Sequence, residues 1–168
     1  MSLFNVATLA GRYLLFVCLF GLTACGFRLQ GSYEYPAGMA NTFIDAKDRY
    51  TPFYRDLSIA LEQGGVNLKK SPLDADAVVR IGRDETGQRV LTTSGRNVPE
   101  EYDVYYRISY SVFLDGTQVV SSRSLSREQD YTFDATEKLG KDREAEEIRA
   151  AISKDLARQV TYELSQLK

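Results

Sequence analysis

The stretch YDVYYRISYSVFLDG (residues 102–116) decides the fold. Its even positions, Tyr102, Val104, Tyr106, Ile108, Tyr110, Val112 and Leu114, are all apolar or aromatic, whereas the odd positions include Asp103, Arg107, Ser109 and Ser111. Successive side chains of a strand point to opposite faces, so this period of two predicts a long strand with one face in a core. Asp115-Gly116 then tolerates the positive φ of a two-residue turn, and residues 117–133 return as the partner strand. In ideal register Leu114 faces Thr117 and Val112 faces Val119, which sets Arg123 opposite Ile108 and Arg127 opposite Val104 on the apolar side. Two arrangements resolve this: a bulge that shifts the return strand by one residue, or an edge position from which the arginines reach water.

Upstream of the hairpin, AVVRI (residues 77–81) reads as a mostly apolar strand that extends into Arg89-Val90-Leu91. Residues 42–46 (TFIDA) and 66–68 (VNL) predict two shorter strands. Between them lies a punctuated helix: Thr51 is a good N-cap, Pro52 suits the first position, and Gly64-Gly65 supplies a left-handed stop. Phe53, Leu57, Ala60 and Leu61 share one face of it. Residues 31–41 and Ser71-Pro72 carry the punctuation of a loop and a turn, and Phe27-Arg28-Leu29-Gln30 alternates like a short strand.

Downstream, Ala145, Ile148, Ile152, Leu156, Val160, Leu164 and Leu167 recur at steps of three or four, predicting a helix over residues 142–167. Arg149, Lys154, Asp155 and Arg158 then face solvent, and Gly140 argues against an earlier start. The fold expected is α+β: a two-layer sandwich in which a mixed, largely antiparallel sheet with a long hairpin packs against two helices. No internal repeat or second domain is visible.

The N-terminus poses a different question. LLFVCLFGLTACGF (residues 14–27) is too short an apolar run for a span, which needs roughly 20 residues. Arg12 ahead of it and small residues after it give the layout of a secretory signal. Leu22-Thr23-Ala24-Cys25 matches the bacterial lipobox, whose chemistry requires a thiol that accepts a diacylglyceryl group and small residues that fit a peptidase. Residues 1–24 are therefore expected to be removed, leaving 25–168 as a single α/β domain anchored through diacylglyceryl and N-acyl chains on Cys25. Gly26 is not the aspartate associated with inner-membrane retention, so the expected location is the outer membrane.

Without residues 1–24 the chain keeps 20 basic and 23 acidic residues, a balance of −3 that argues against a general nucleic-acid binder. It has no histidine, and Cys25 would be its sole remaining cysteine. Disulfides, thiolate nucleophiles, imidazole bases and the usual zinc ligands are thus missing, so no metal or dissociable cofactor is expected and an enzyme is disfavoured.

The opening Cys25-Gly26-Phe27-Arg28-Leu29-Gln30-Gly31 resembles that of the lipopolysaccharide-assembly lipoprotein LptE family. Glu101-Tyr102 at the head of the long strand and Leu139-Gly140-Lys141-Asp142 before the last helix extend the resemblance. It implies a non-enzymatic lipoprotein that faces the periplasm inside a large outer-membrane β-barrel, the LptD translocon, assists assembly of that barrel, plugs it and binds lipopolysaccharide. A polar domain suits the polar lumen of such a barrel, and two or more acyl chains give stable anchoring. Carried over by position, the lipopolysaccharide contacts fall on Arg96 in Ser94-Gly95-Arg96-Asn97 and on Lys141, with Arg89, Lys138 and Arg143 as possible support. Arginine can hold a phosphate through two parallel bonds, although most exposed Lys and Arg are merely solvated.

Among eleven tyrosines, Tyr102, Tyr106 and Tyr110 fall on the core phase, which leaves Tyr33, Tyr35 and Tyr105 as candidates for partner contact. Two other classes of function compete with the translocon role. One is an accessory subunit of another envelope machine, for barrel insertion or phospholipid transport; the other is a carboxylate hydrolase, for which no convincing Asp/Glu pair appears.

Overall fold

At Asp115 and Gly116 the backbone takes φ of 47° and 79°, and the chain reverses there as the sequence requires. The structure, a computed structural model, describes residues 33–167. Its elements are β1 (Asn41–Ala46), α1 (Pro52–Gln63), β2 (Asn67–Leu68), β3 (Ala77–Thr93), β4 (Pro99–Leu114), β5 (Thr117–Thr132) and α2 (Lys138–Ser165). The signal segment, Cys25 and the strand expected at Phe27–Gln30 lie outside the described residues.

The sheet order is β2-β1-β3-β4-β5. β1 runs parallel to β2 and β3, with α1 inside the crossover, whereas β3, β4 and β5 are antiparallel. The fold is thus the expected α+β arrangement of an open mixed sheet and two helices. The core phase of β4 is as read: Val104, Tyr106, Ile108 and Val112 are fully buried, and Tyr110 nearly so. They pack in one cluster with Ile44, Val79 and Ile81 of the sheet, Phe53, Leu57 and Leu61 of α1, and Ile152, Leu156, Val160 and Leu164 of α2. Each such side chain stabilises by roughly 1.5–3 kcal/mol when fully buried.

Helix α1 has the punctuation expected. Thr51 Oγ1 accepts from Tyr54 N at 3.2 Å, and Gly65 takes the left-handed conformation at φ 87°. Its first turn is also tied to the sheet: Tyr106 Oη accepts from Phe53 N at 3.2 Å and donates to Asp84 Oδ1 at 2.7 Å, while the Thr51 hydroxyl donates to Asp84 Oδ2.

The hairpin takes the edge alternative, with Arg123 and Arg127 kept on the helix side, and the bulges it contains do not make a one-residue shift. Leu114 faces Thr117, but the pairing slips once between Phe113 and Val112 and again between Val112 and Tyr110. Ile108 therefore faces Leu125, and Tyr102 faces Tyr131. A slip of two restores the original parity, so a one-residue shift is not what happens. Arg123 and Arg127 stay on the helix side, opposite Tyr110 and Tyr106. Because β5 is the sheet edge, they reach out along α2: Arg123 lies 3.3 Å from Glu163, and Arg127 Nη2 donates to Gln159 Oε1 at 2.8 Å. Inward-pointing charges on an edge strand also discourage pairing with another chain.

The last helix departs from expectation at its start. It begins at Lys138, runs through Gly140 and ends at Ser165. A helical glycine costs about 1 kcal/mol relative to alanine, too little to end a helix that packs well downstream. Asp134 Oδ1 accepts from Thr136 N at 2.8 Å and organises a 3₁₀ turn, Ala135–Glu137, that leads directly into α2. Arg149 is also not solvent-facing as expected: its side chain is only 19% exposed and pairs with Glu146.

Candidate functional site

β3 and β4 continue past the core and end in the turn at residues 94–98. Ser94 N donates to Val98 O at 2.8 Å and Asn97 N donates to Ser94 O at 2.9 Å. Ser94 Oγ accepts from Val98 N at 3.2 Å, while Asn97 takes φ 60°. Arg96 stands exposed on this turn. Beside it, Val90, Leu91 and Val98 are each about half exposed, so the tip combines a guanidinium with apolar surface.

The start of α2 lies at the same end of the molecule. Tyr102 stacks on Tyr131 at 5.9 Å and meets Phe133 edge-on at 5.1 Å. Burial raises the Tyr131 phenol, with Tyr102 adding to the effect. Phe133 N donates to Glu100 O at 2.8 Å, so the chain that leads into α2 leaves β5 beside the start of β4, and Ala145 of α2 shares the core cluster with Tyr131. Pro99, where β4 leaves the tip, is three residues before Tyr102, about 10 Å at strand rise. Lys138 and Arg143 are exposed, and Lys141 is half-buried with Nζ 2.9 Å from Glu144 Oε2. That hydrogen bond raises the Lys141 pKa and keeps the ammonium charged.

The first turn of α2 contains no acidic residue, and Glu137 makes no side-chain cap. Basic side chains here oppose the partial positive charge of a helix N-terminus, where carboxylates are normally favoured. Such a local conflict marks a place suited to anions rather than to stability alone.

Arg96, Lys141, Lys138 and Arg143 thus share one end, but Arg89 does not join them. A slip in the β3–β4 pairing between Ile81 and Arg83 reverses the parity of β3, and Arg89 pairs with Asp103 on the sheet face away from the helices. There its Nη2 lies 2.7 Å from Asp103 Oδ2 and 2.9 Å from Glu128 Oε2. The first contact is an ion pair whose N–H is not aimed at the oxygen, and Asp103 is buried. Arg89 is thus already paired with two carboxylates, on the other face of the sheet.

The candidate tyrosines also separate. Tyr35 is a packing residue rather than a partner contact: its ring lies against Gly64 and its hydroxyl is buried. Tyr105 is covered by the Arg107 guanidinium at 4.6 Å and packs against Gly87. Tyr33 meets Tyr162 edge-on at 5.9 Å, beside Arg127 and Arg158. Sequence reasoning missed this last grouping, as well as the apolar flank of the tip. Among the described residues there is no cluster suited to a metal, and no helix is long and apolar enough to cross a membrane.

Residues 40–164 match the profile of the family described as LptE, lipopolysaccharide-assembly. The chain belongs to the LptE family. Its role accordingly lies in lipopolysaccharide assembly. No curated protein sequence matches it. Among solved structures it is similar to the rare lipoprotein B of Shewanella oneidensis, with a TM-score of 0.64 and 20% identity over 74% of this chain and 93% of that one. It is also similar to lipoprotein B of Nitrosomonas europaea, with a TM-score of 0.66 and 20% identity over 80% of this chain and 87% of that one. A minor lipoprotein of Acinetobacter baumannii gives a TM-score of 0.60 and 21% identity over 76% and 91% respectively. At these identities the likeness establishes a shared fold.

Proposed function

We infer that this chain is an outer-membrane lipoprotein, acylated on Cys25, that binds lipopolysaccharide through the end bearing Arg96 and Lys141. It sits in the lumen of a large LptD-like β-barrel, helps that barrel assemble and plugs it. The observation carrying this reading is the placement of Arg96 and Lys141 at one end, beside the half-exposed Val90, Leu91 and Val98. Lipopolysaccharide joins phosphates to acyl chains, and a cationic tip with an apolar flank matches that border. Lys138 and Arg143 extend the positive charge, whereas Arg89 takes no part. The lipobox at Cys25, and the lipoproteins that share this fold, support the anchor. A binding rather than catalytic role accords with the lack of histidine.

The test is lipopolysaccharide capture by the acylated chain carrying Arg96→Asp and Lys141→Asp. Affinity is expected to fall by about tenfold or more, with a modest drop in the thermal midpoint because Lys141 also gives up its bond to Glu144. Unchanged capture by the folded double variant would remove this pair from the site.

A further inference from the structure

A cleft between β5 and α2 carries side chains that the lipopolysaccharide reading leaves unused. Tyr33, Arg127, Asp155, Arg158, Gln159 and Tyr162 line an open depression of about 340 Å³, a size suited to a small ligand. It is separate from the Lys141 end: Gln159 lies eighteen residues further along α2, about 27 Å at 1.5 Å per residue.

The two arginines that β5 turns toward the helix have different partners. Arg123 is neutralised by Glu163 at 3.3 Å. Arg127 reaches only neutral acceptors, Gln159 Oε1 at 2.8 Å and Ser126 O at 3.2 Å, and among the described residues no carboxylate lies within ion-pair distance of it. Arg158 pairs with Asp155 at 3.3 Å, but both are well exposed, and such a pair is weak enough to open for a better anion. Two guanidiniums therefore face one carboxylate. The ring of Tyr162 is 52% exposed and braced edge-on by Tyr33, offering an aromatic surface beside the charges.

We propose that this cleft is a second binding site, specific for a phosphorylated sugar. Arg127 and Arg158 hold the phosphate, with guanidinium forks matched to its oxygens. The Tyr33–Tyr162 pair packs against the sugar ring, and Asp155 and Gln159 bond its hydroxyls. Phosphate alone would leave the tyrosines idle, and a phospholipid headgroup would use only the arginines. The site does not depend on Arg96 and Lys141.

The test uses the full acylated chain in detergent micelles with Arg96→Asp and Lys141→Asp, which silences the other end. Calorimetric titration with glucosamine 6-phosphate is expected to saturate at one equivalent per chain. Glucosamine, inorganic phosphate and phosphatidylglycerol carried in the same micelles should each bind at least about tenfold more weakly. Arg127→Gln and Tyr162→Ala should each weaken glucosamine 6-phosphate by a similar factor. Arg158→Gln, at an exposed helical position, should do the same without touching the edge strand. Absent saturation, equal binding of phosphate or of micellar phosphatidylglycerol, or indifference to all three substitutions would overturn the proposal. If lipopolysaccharide capture ignores the Arg96 and Lys141 changes while glucosamine 6-phosphate still binds, the other reading fails and this one stands.

Discussion

Tyr106 Oη donates to Asp84 Oδ1 at 2.7 Å while accepting from Phe53 N at 3.2 Å, so one core tyrosine of β4 joins β3 to the first turn of α1. Tyr106→Phe removes both bonds and keeps the ring, and is expected to destabilise the fold by about 2 kcal/mol. Asp84→Ala also strips a partner from Thr51 and should cost at least as much. Urea unfolding of both variants checks this, with an unchanged midpoint for Tyr106→Phe as the contrary result.

The alkaline limit of stability should be set by buried phenols. Burial pushes Tyr35 up to about 12 from the ordinary 10.0. Tyr106 and Tyr110 are likewise raised, by burial first and then by their bonds to Asp84 and Glu163. Above pH 10 the unfolded chain loses these protons while the native chain keeps them, so stability falls as pH rises. Their contribution is complete below pH 10; the part due to Tyr35 is lost as pH climbs through 12, and Tyr106 and Tyr110 extend the loss to still higher pH. Thermal melts across that window, read beside phenolate absorbance, should show the midpoint falling before the buried tyrosines ionise.

Tyr35 tests the opposite situation. Its buried hydroxyl sits within reach of Thr161, but that residue's own hydroxyl donates to Arg158 O at 2.9 Å, and no aligned bond to Tyr35 forms. Tyr35→Phe should leave stability unchanged or raise it by up to about 1 kcal/mol, because an unpaired buried polar group is removed. A loss above that in chemical denaturation would mean that the hydroxyl is satisfied in solution.

Gly140 lies inside α2 with open space where a Cβ would stand. Gly140→Ala should therefore stabilise the chain by about 0.5–1 kcal/mol, the difference in helix propensity. Circular dichroism melts would show a raised midpoint; a lowered one would mean that the helix starts after Gly140.

The hydrophobic pattern made the core phase of β4, the capping of α1 and the buried stripe of α2 legible from residue types alone. It could not reveal a slip of two between β4 and β5, because two single shifts leave Arg123 and Arg127 on the same side as before. The slip at Gly82 had the reverse effect: it turned Arg89, three residues after Thr86, to the face away from the helices. The start of α2 was hidden because a turn capped by Asp134, which accepts from Thr136 N, leads straight into the helix, and packing downstream outweighs a modest glycine penalty. For the tip, the family resemblance singled out Arg96 and Lys141 as candidates, but the half-exposure of Val90 and Leu91 beside them is visible only in the structure. The Arg127–Gln159 contact joins positions 32 residues apart on two elements, and no local pattern announces it.

The most direct measurement is a mild-detergent pull-down of the tagged, acylated chain from its own outer membranes, with mass spectrometry of what remains bound. The account predicts one large outer-membrane β-barrel at near-equal amounts, with lipopolysaccharide retained by the wild-type chain and depleted from the Arg96→Asp, Lys141→Asp variant. Recovery of other envelope lipoproteins without such a barrel would contradict it.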